Sequence, residues 1–253
     1  MTVGLVGAGN MAHALARGWA EPILCTDGGS GRAAKLAAEV GGEAIAGNAE
    51  LARRADVVVL AHKPAQLESV SAEIDGAADG KLVVSLLARV PRSALAAAYP
   101  GSTVLRVQPN IAVERRCGVS ALGAADDDVS PELAQTARDL FARVGTVVVV
   151  SDRLIDVASA CSGVGPAYWS LLVEAQVDAA VRSGLTPAQA SVLVGETMAG
   201  TAQLLRDRDW DTLAVRREVA SPGGTTARGL AALERGGVRA AFSAAIDDVL
   251  EPR

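Results

Sequence analysis

The stretch VGLVGAGNMAHAL, residues 3–15, decides how the rest of the chain is read. An apolar, β-prone run leads into Gly7-x-Gly9-x-x-Ala12, and a helical pattern follows. A glycine turn between a strand and a helix is the setting that a dinucleotide fingerprint requires. Gly7 permits the tight turn, and Gly9 lets a pyrophosphate approach the backbone. Ala12 lets the helix pack on its strand. Asn10 and Met11 complete the turn, where the first N–H groups of the helix face the phosphates. Asp27 closes the next apolar run, eighteen residues after Gly9. A carboxylate there bonds a ribose 2′-hydroxyl, which would favour NAD. Ser30 and Arg32 follow closely and would suit a 2′-phosphate, so NADPH and NADH both stay open.

Outward from this turn, the first 150 residues alternate strand-like and helical segments. The strand-like runs are TVGLV (2–6), PILCT (22–26), DVVVLA (56–61), KLVVSL (81–86) and STVLRV (102–107). Helical patterns over 9–20 and 32–40 lie between the first of them. A weaker strand at 119–122 and a strong one at 146–150 complete the set. Strongly apolar strands alternating with helices predict an α/β fold, a doubly wound parallel sheet covered on both faces. Ser130 caps and Pro131 opens a helix with Leu133, Ala137, Leu140, Phe141 and Val144 on one stripe.

After residue 150 the strand signals stop. Ser151 reads as the cap of a helix to about Cys161, SGVGP breaks the chain, and Pro166 opens another helix. Thr186-Pro187-Ala188-Gln189 reads as a capping box for a long helix to about Arg206. Two helices separated by Gly236-Gly237 end the chain. The expected division is therefore a dinucleotide-binding domain over 1–150 and an all-helical domain over 151–253. The predicted helix over 166–181 is apolar on nearly every side, and the next carries Gly195, Ala199, Gly200 and Ala202. A helix apolar all round must be covered all round. About a hundred helical residues offer little cover, which predicts an intertwined homodimer.

Composition narrows the function classes. The chain has 253 residues and a net charge of −5. The acidic balance argues against nucleic acid, which selects a basic face. Three widely spaced cysteines give neither a disulfide framework nor a zinc spacing. No run reaches membrane-spanning length, and no basic segment precedes the first apolar stretch. The expectation is a cytoplasmic protein with no membrane partner and no metal. The two histidines offer little acid–base chemistry. His13 reads as a helix-surface residue and His62 as a spectator. Hydride transfer to a protonated imine needs few side chains, because the iminium is already electrophilic and the enzyme mainly positions the reactants.

One stretch remains, VASPGGTTARGLAALE (219–234). Adjacent glycines weaken regular structure, so a chain that keeps them is using its backbone. Together with GAGNMA at the start, AHKP (61–64), RVQPN (106–110) and SGVGPAY (162–168), in this order, the stretch resembles the pyrroline-5-carboxylate reductase family. The resemblance spans essentially the whole chain. It implies a Rossmann-type domain followed by a helical dimerisation domain, and reduction of 1-pyrroline-5-carboxylate to L-proline with NADPH or NADH. It places Ser221, Gly223, Gly224, Thr225 and Thr226 on the substrate, with Thr226 beside the imine nitrogen. It also places Asn48, Ala61, Lys63 and Pro64 on the cofactor.

The pattern departs from the family at several positions. Gln108-Pro109-Asn110-Ile111-Ala112 stands where the family reads Met-Pro-Asn-Thr-Pro, and Val164 stands for a serine. Arg89 occupies a family glycine, and Gly28 a family arginine. These changes leave two alternatives open. One is a reductase of another cyclic imino acid, such as a six-membered ring. The other is a non-catalytic NAD(P)-binding regulator. A β-hydroxyacid dehydrogenase would want a lysine in its helical domain, and none follows Lys81.

Overall fold

The computed structural model describes residues 1–124 and 129–251. It forms two compact units, Met1–Pro166 and Ala167–Arg253.

The first unit is built on an eight-stranded sheet. Its strands are β1 Val3–Val6, β2 Leu24–Thr26, β3 Glu43–Ala44, β4 Val57–Leu60, β5 Leu82–Ser85, β6 Thr103–Pro109, β7 Gly118–Gly123 and β8 Gly145–Val150. Their spatial order is β3-β2-β1-β4-β5-β6-β7-β8. The central strands β1, β4 and β5 are buried along their whole length, which is why they read as unbroken apolar runs. The strand order reverses between β1 and β4, and the Gly7 turn leaves β1 at that point.

The sheet is not parallel throughout, as the strand–helix alternation had suggested. Pairing is parallel from β3 to β6, but β7 runs antiparallel to β6 and carries β8 with it. The cause is chain length. Only residues 110–117 join β6 to β7, and a parallel crossover needs about a dozen residues or more. The two-residue β3 is exposed and gave no apolar signal.

Helices α1 Asn10–Trp19, α2 Arg32–Val40 and α6 Pro131–Ala142 contribute to one apolar core, with Leu15, Leu36, Leu140 and Phe141 inside it. Helices α3 Asn48–Arg54, α4 Leu67–Ile74 and α5 Arg92–Ala98 contribute to a second, around Leu51, Ile74 and Leu95. Ser130 caps α6 as expected, its side chain accepting from Leu133 N.

Ser151 does not cap a helix. It precedes a 3₁₀ turn, Asp152–Leu154, and α7 Ile155–Ser162 follows. This helix belongs to the sheet unit, because a buried cation anchors it there. Arg106 on β6 is 3% exposed and pairs with Asp152 at 3.3 Å and Asp156 at 2.8 Å. Asn110 Nδ2 adds a bond to Ser162 O at 3.2 Å. The compact units consequently divide later in the chain than the last strand signal near residue 150.

The second unit is helical: α8 Gly165–Arg182 leads into it, then α9 Pro187–Asp207, α10 Thr212–Val219, α11 Thr225–Arg235 and α12 Val238–Leu250. The capping box of Thr186 and Gln189 is formed at the start of α9. Helix α10 escaped the sequence reading, although Asp211 caps it by accepting from Leu213 N and Ala214 N. A single chain gives these helices almost no interior. Helices α10, α11 and α12 bury no residue, and α9 buries only Ala190 and Val194. Trp169, Leu171, Val192 and Leu193 are each more than half exposed. Among the described residues, no helix is long and apolar enough to cross a membrane.

Candidate functional site

The nucleotide turn sits where three strands end. Gly7 N donates to Thr26 O at the end of β2, and Ala61 N donates to Val6 O, tying the end of β4 to β1. Gly7 has φ +104°, and a Cβ there would lie 2.8 Å from the backbone of Ala61 and His62. The fold itself therefore demands this glycine. Gly9 is different. Its φ is −80°, and the nearest atom to a Cβ would be Ala61 O at 3.9 Å. Nothing in the protein requires Gly9 to lack a side chain, so the open space above it fits a ligand that approaches the backbone. Ala12 is fully buried and packs α1 on the sheet. No side chain caps α1, so its first N–H groups, around the exposed Asn10 and half-buried Met11, are available to an anion. The residues present fit a dinucleotide pyrophosphate.

Asp27 is largely spent on its own loop. Its carboxylate accepts from Gly29 N at 2.8 Å, Ser30 Oγ at 2.9 Å and Ala33 N at 2.9 Å. These donors, Ala33 N foremost, hold it below the usual aspartate range. The Ser30 hydroxyl, exposed beside it, donates to this carboxylate. Arg32 starts α2 and is exposed.

Asn48 is half-buried and bridges two elements. Its Oδ1 accepts from Thr26 Oγ1 at 2.6 Å, and its Nδ2 donates to Glu73 at 2.5 Å. Lys63 and Pro64 follow β4 on the surface, where Gln66 accepts from Lys63 N at 3.1 Å. The His62 ring makes its hydrogen bond to Lys63 O through Nδ1, at 2.9 Å, and burial keeps its pKa below the usual value. His13 is half-buried on α1 with Nδ1 bonded back to Gly9 O at 3.1 Å.

Two departures from the family pattern are structurally defined. Arg89 is exposed in the turn after β5 with φ +60°, a conformation that glycine adopts freely. Gln108 on β6 is buried, and its Nε2 reaches Leu87 O at 3.4 Å. The Gln108 bond connects the end of β6 to the segment that leads into Arg89.

In the helical unit, residues 221–226 form one compact cap. Gly223 has φ +70°, which a side chain disfavours. Gly224 is extended, but a Cβ there would lie 2.5 Å from Ser221 Oγ. The two glycines are needed for different reasons. Gly224 N donates to Ser221 O at 3.0 Å, and α11 begins at Thr225 with no side-chain cap. Thr225 is exposed and Thr226 half-buried at the second helical position. Unsatisfied N–H groups and a threonine hydroxyl therefore share one helix end, a cradle suited to a carboxylate.

Sequence reasoning missed the clasp made by Arg106, whose partners lie some 50 positions away. It also missed Lys35, which lines a cleft with Arg32, Asn10 and His13. The Arg32-x-x-Lys35 spacing on a predicted helix was the available signal.

A nucleotide-binding sheet with this turn, followed by an all-helical unit, defines a dinucleotide-dependent oxidoreductase. Residues 2–89 match the family model described as NADP oxidoreductase, coenzyme F420-dependent, and residues 152–252 match that for pyrroline-5-carboxylate reductase dimerisation. The chain is 34% identical to a pyrroline-5-carboxylate reductase of Methanosarcina acetivorans, over 96% of this chain and 93% of the relative. It superposes on a solved pyrroline-5-carboxylate reductase of Coxiella burnetii with TM-score 0.87 and 30% identity, covering 98% and 95% of the two chains. A Plasmodium falciparum pyrroline carboxylate reductase solved with NADP bound gives TM-score 0.87 at 26% identity, over 98% and 95%. The chain belongs to the pyrroline-5-carboxylate reductase family.

Proposed function

We propose that this protein reduces 1-pyrroline-5-carboxylate to L-proline with NADPH, NADH serving as a second donor. The observation that carries the proposal is the pair of uncapped helix N-termini, α1 behind Gly9 and α11 behind Gly224. One suits a pyrophosphate and the other a substrate carboxylate. The nicotinamide, when bound, supplies a hydride to the imine carbon. Residues 7–12 hold the pyrophosphate, with Asn48, Ala61, Lys63 and Pro64 shaping the crevice beside it. Asn48 acts by fixing the end of β2 against α4. Residues 221–226 hold the substrate: backbone N–H groups take the carboxylate, and the Thr226 hydroxyl orients the imine nitrogen. Little else is needed, because a protonated imine is already electrophilic and the remaining task is alignment.

The working unit is a homodimer in which the helices of two chains cover one another. The sheet unit binds the dinucleotide, and the helical unit binds the substrate and makes the dimer. We place the enzyme in the cytoplasm, which its three unpaired cysteines support.

Thr226→Ala tests the substrate loop. It lowers kcat/KM for pyrroline-5-carboxylate by about 10–100-fold, or about 1.4–2.7 kcal/mol of transition-state stabilisation. NADPH affinity, measured by direct titration, stays within about twofold. Loss of NADPH binding with an unchanged substrate KM would put the loop on the wrong ligand. Parallel assays with the six-membered homologue separate the proposed substrate from its nearest alternative.

A further inference from the structure

Asn48, the first residue of α3, is the middle of a short hydrogen-bond relay. Thr26 at the end of β2 is 2% exposed, and its hydroxyl donates to Asn48 Oδ1 at 2.6 Å. Asn48 Nδ2 in turn donates to the Glu73 carboxylate on α4 at 2.5 Å. The inner end of the relay belongs to the nucleotide turn, because Thr26 O accepts from Gly7 N at 3.2 Å. β2, α3 and α4 therefore meet at one side-chain amide.

The two halves of an amide have nearly the same shape, so the chemistry of its partners decides which way it faces. The Thr26 hydroxyl can donate or accept, and decides nothing. A carboxylate only accepts, so Glu73 must face the Asn48 nitrogen. Oδ1 is then turned toward Thr26, whose hydroxyl must donate. Glu73 thus sets the polarity of the whole relay, although it is the exposed member. A charged acceptor also makes the firmer hydrogen bond. Of the N–H groups and lone pairs that an amide carries, one of each is committed here and one of each remains. Asn48 is half-buried, so the remaining pair is held in a fixed orientation and is still within reach of a ligand. A donor and an acceptor offered together suit a hydroxyl group.

We infer that Glu73 is a positioning residue for the dinucleotide: it locks the Asn48 amide in one orientation, and with it the donor and acceptor that Asn48 presents to a hydroxyl of the ligand. The inference rests on the reading above that sets Asn48 beside the cofactor. Glu73 makes no contact with the ligand itself. It acts through Asn48, because an amide already held in place has less freedom to lose on binding.

The test is a double-mutant cycle, read by calorimetric titration of the full chain with NADPH and without any imine. Glu73→Ala weakens NADPH about 3–10-fold, and Asn48→Ala weakens it at least as much. In the double variant the loss equals that of Asn48→Ala alone, since Glu73 has nothing left to orient. Glu73→Gln, which still offers an acceptor oxygen, recovers most of the affinity that Glu73→Ala loses. Losses that multiply in the double variant would give Glu73 a direct contact or a general structural role, and overturn the inference. A Glu73→Ala chain that binds NADPH as the unaltered chain does, or an Asn48→Ala chain with unchanged affinity, overturns it as well. Failure of the cofactor reading is distinct, because the unaltered chain would then bind no NADPH and both would fall together.

Discussion

Gly7 and Gly9 are two positions apart and are glycine for opposite reasons. Gly7 is required by the protein, through its positive φ and its contact with residues 61–62. Gly9 has room for a methyl group, and on the proposed reading it is kept for the ligand above it. Substitution separates the two. Gly7→Ala costs about 1–3 kcal/mol in urea unfolding, the range for strain at a special backbone position. Gly9→Ala costs less than about 1 kcal/mol but weakens NADPH about tenfold or more, since the methyl occupies the pyrophosphate approach. Equal stability losses with equal cofactor binding would contradict this division. The same distinction was only partly legible in the sequence. The Gly-x-Gly spacing named both residues but could not say which one the fold needs. Arg89 shows the converse. Its departure from the family glycine was visible in sequence, while its left-handed backbone was not. Asp27 was legible as a position, while the three hydrogen bonds that hold its carboxylate were not, because they depend on how the following loop turns back.

Elements were read best where burial made a long signal. The strands at the sheet centre, the Ser130 and Thr186 caps and the Gly236-Gly237 break all stand where sequence put them. What escaped was short or non-local. β3 has two residues and no buried face. The reversal at β7 follows from the length of a connection, which apolar periodicity does not register. The placement of α7 with the sheet depends on Arg106, a residue that reads in sequence as an ordinary charge within a strand. Its burial makes a firm prediction. Arg106→Met leaves Asp152, only 24% exposed, facing an apolar strand without its cation. Removing one partner of a buried pair costs about 3–5 kcal/mol. The lower end applies here, because Asp156 is 42% exposed and regains water. Urea unfolding measures the loss, and hydrogen exchange locates it in α7. A loss below about 1 kcal/mol would mean that apolar packing and the Asn110–Ser162 bond hold α7 in place without the Arg106 pair.

On the scale of the whole molecule, the helical unit poses the clearest physical problem. Its helices carry tryptophan, leucine and valine side chains that a single chain leaves in water. Exposed apolar area of that kind marks an interaction surface. The homodimer answers it, and the answer was legible in sequence because α8 is apolar on nearly every side. Sedimentation equilibrium of the purified chain should show no folded monomer at micromolar concentration. Unfolding should depend on protein concentration, as for an obligate dimer. A folded, active monomer would contradict this account.

The central claim is that this protein transfers a hydride from NADPH to the imine carbon of pyrroline-5-carboxylate. Its most direct test is isotopic. The protein is given pyrroline-5-carboxylate and NADPH bearing deuterium on the transferable face of the nicotinamide, and the product is examined by mass spectrometry and NMR. The account predicts L-proline with a single deuterium, bound to the ring carbon that formed the imine. Proline without deuterium, or NADPH bound but never oxidised in the presence of the imine, would contradict it.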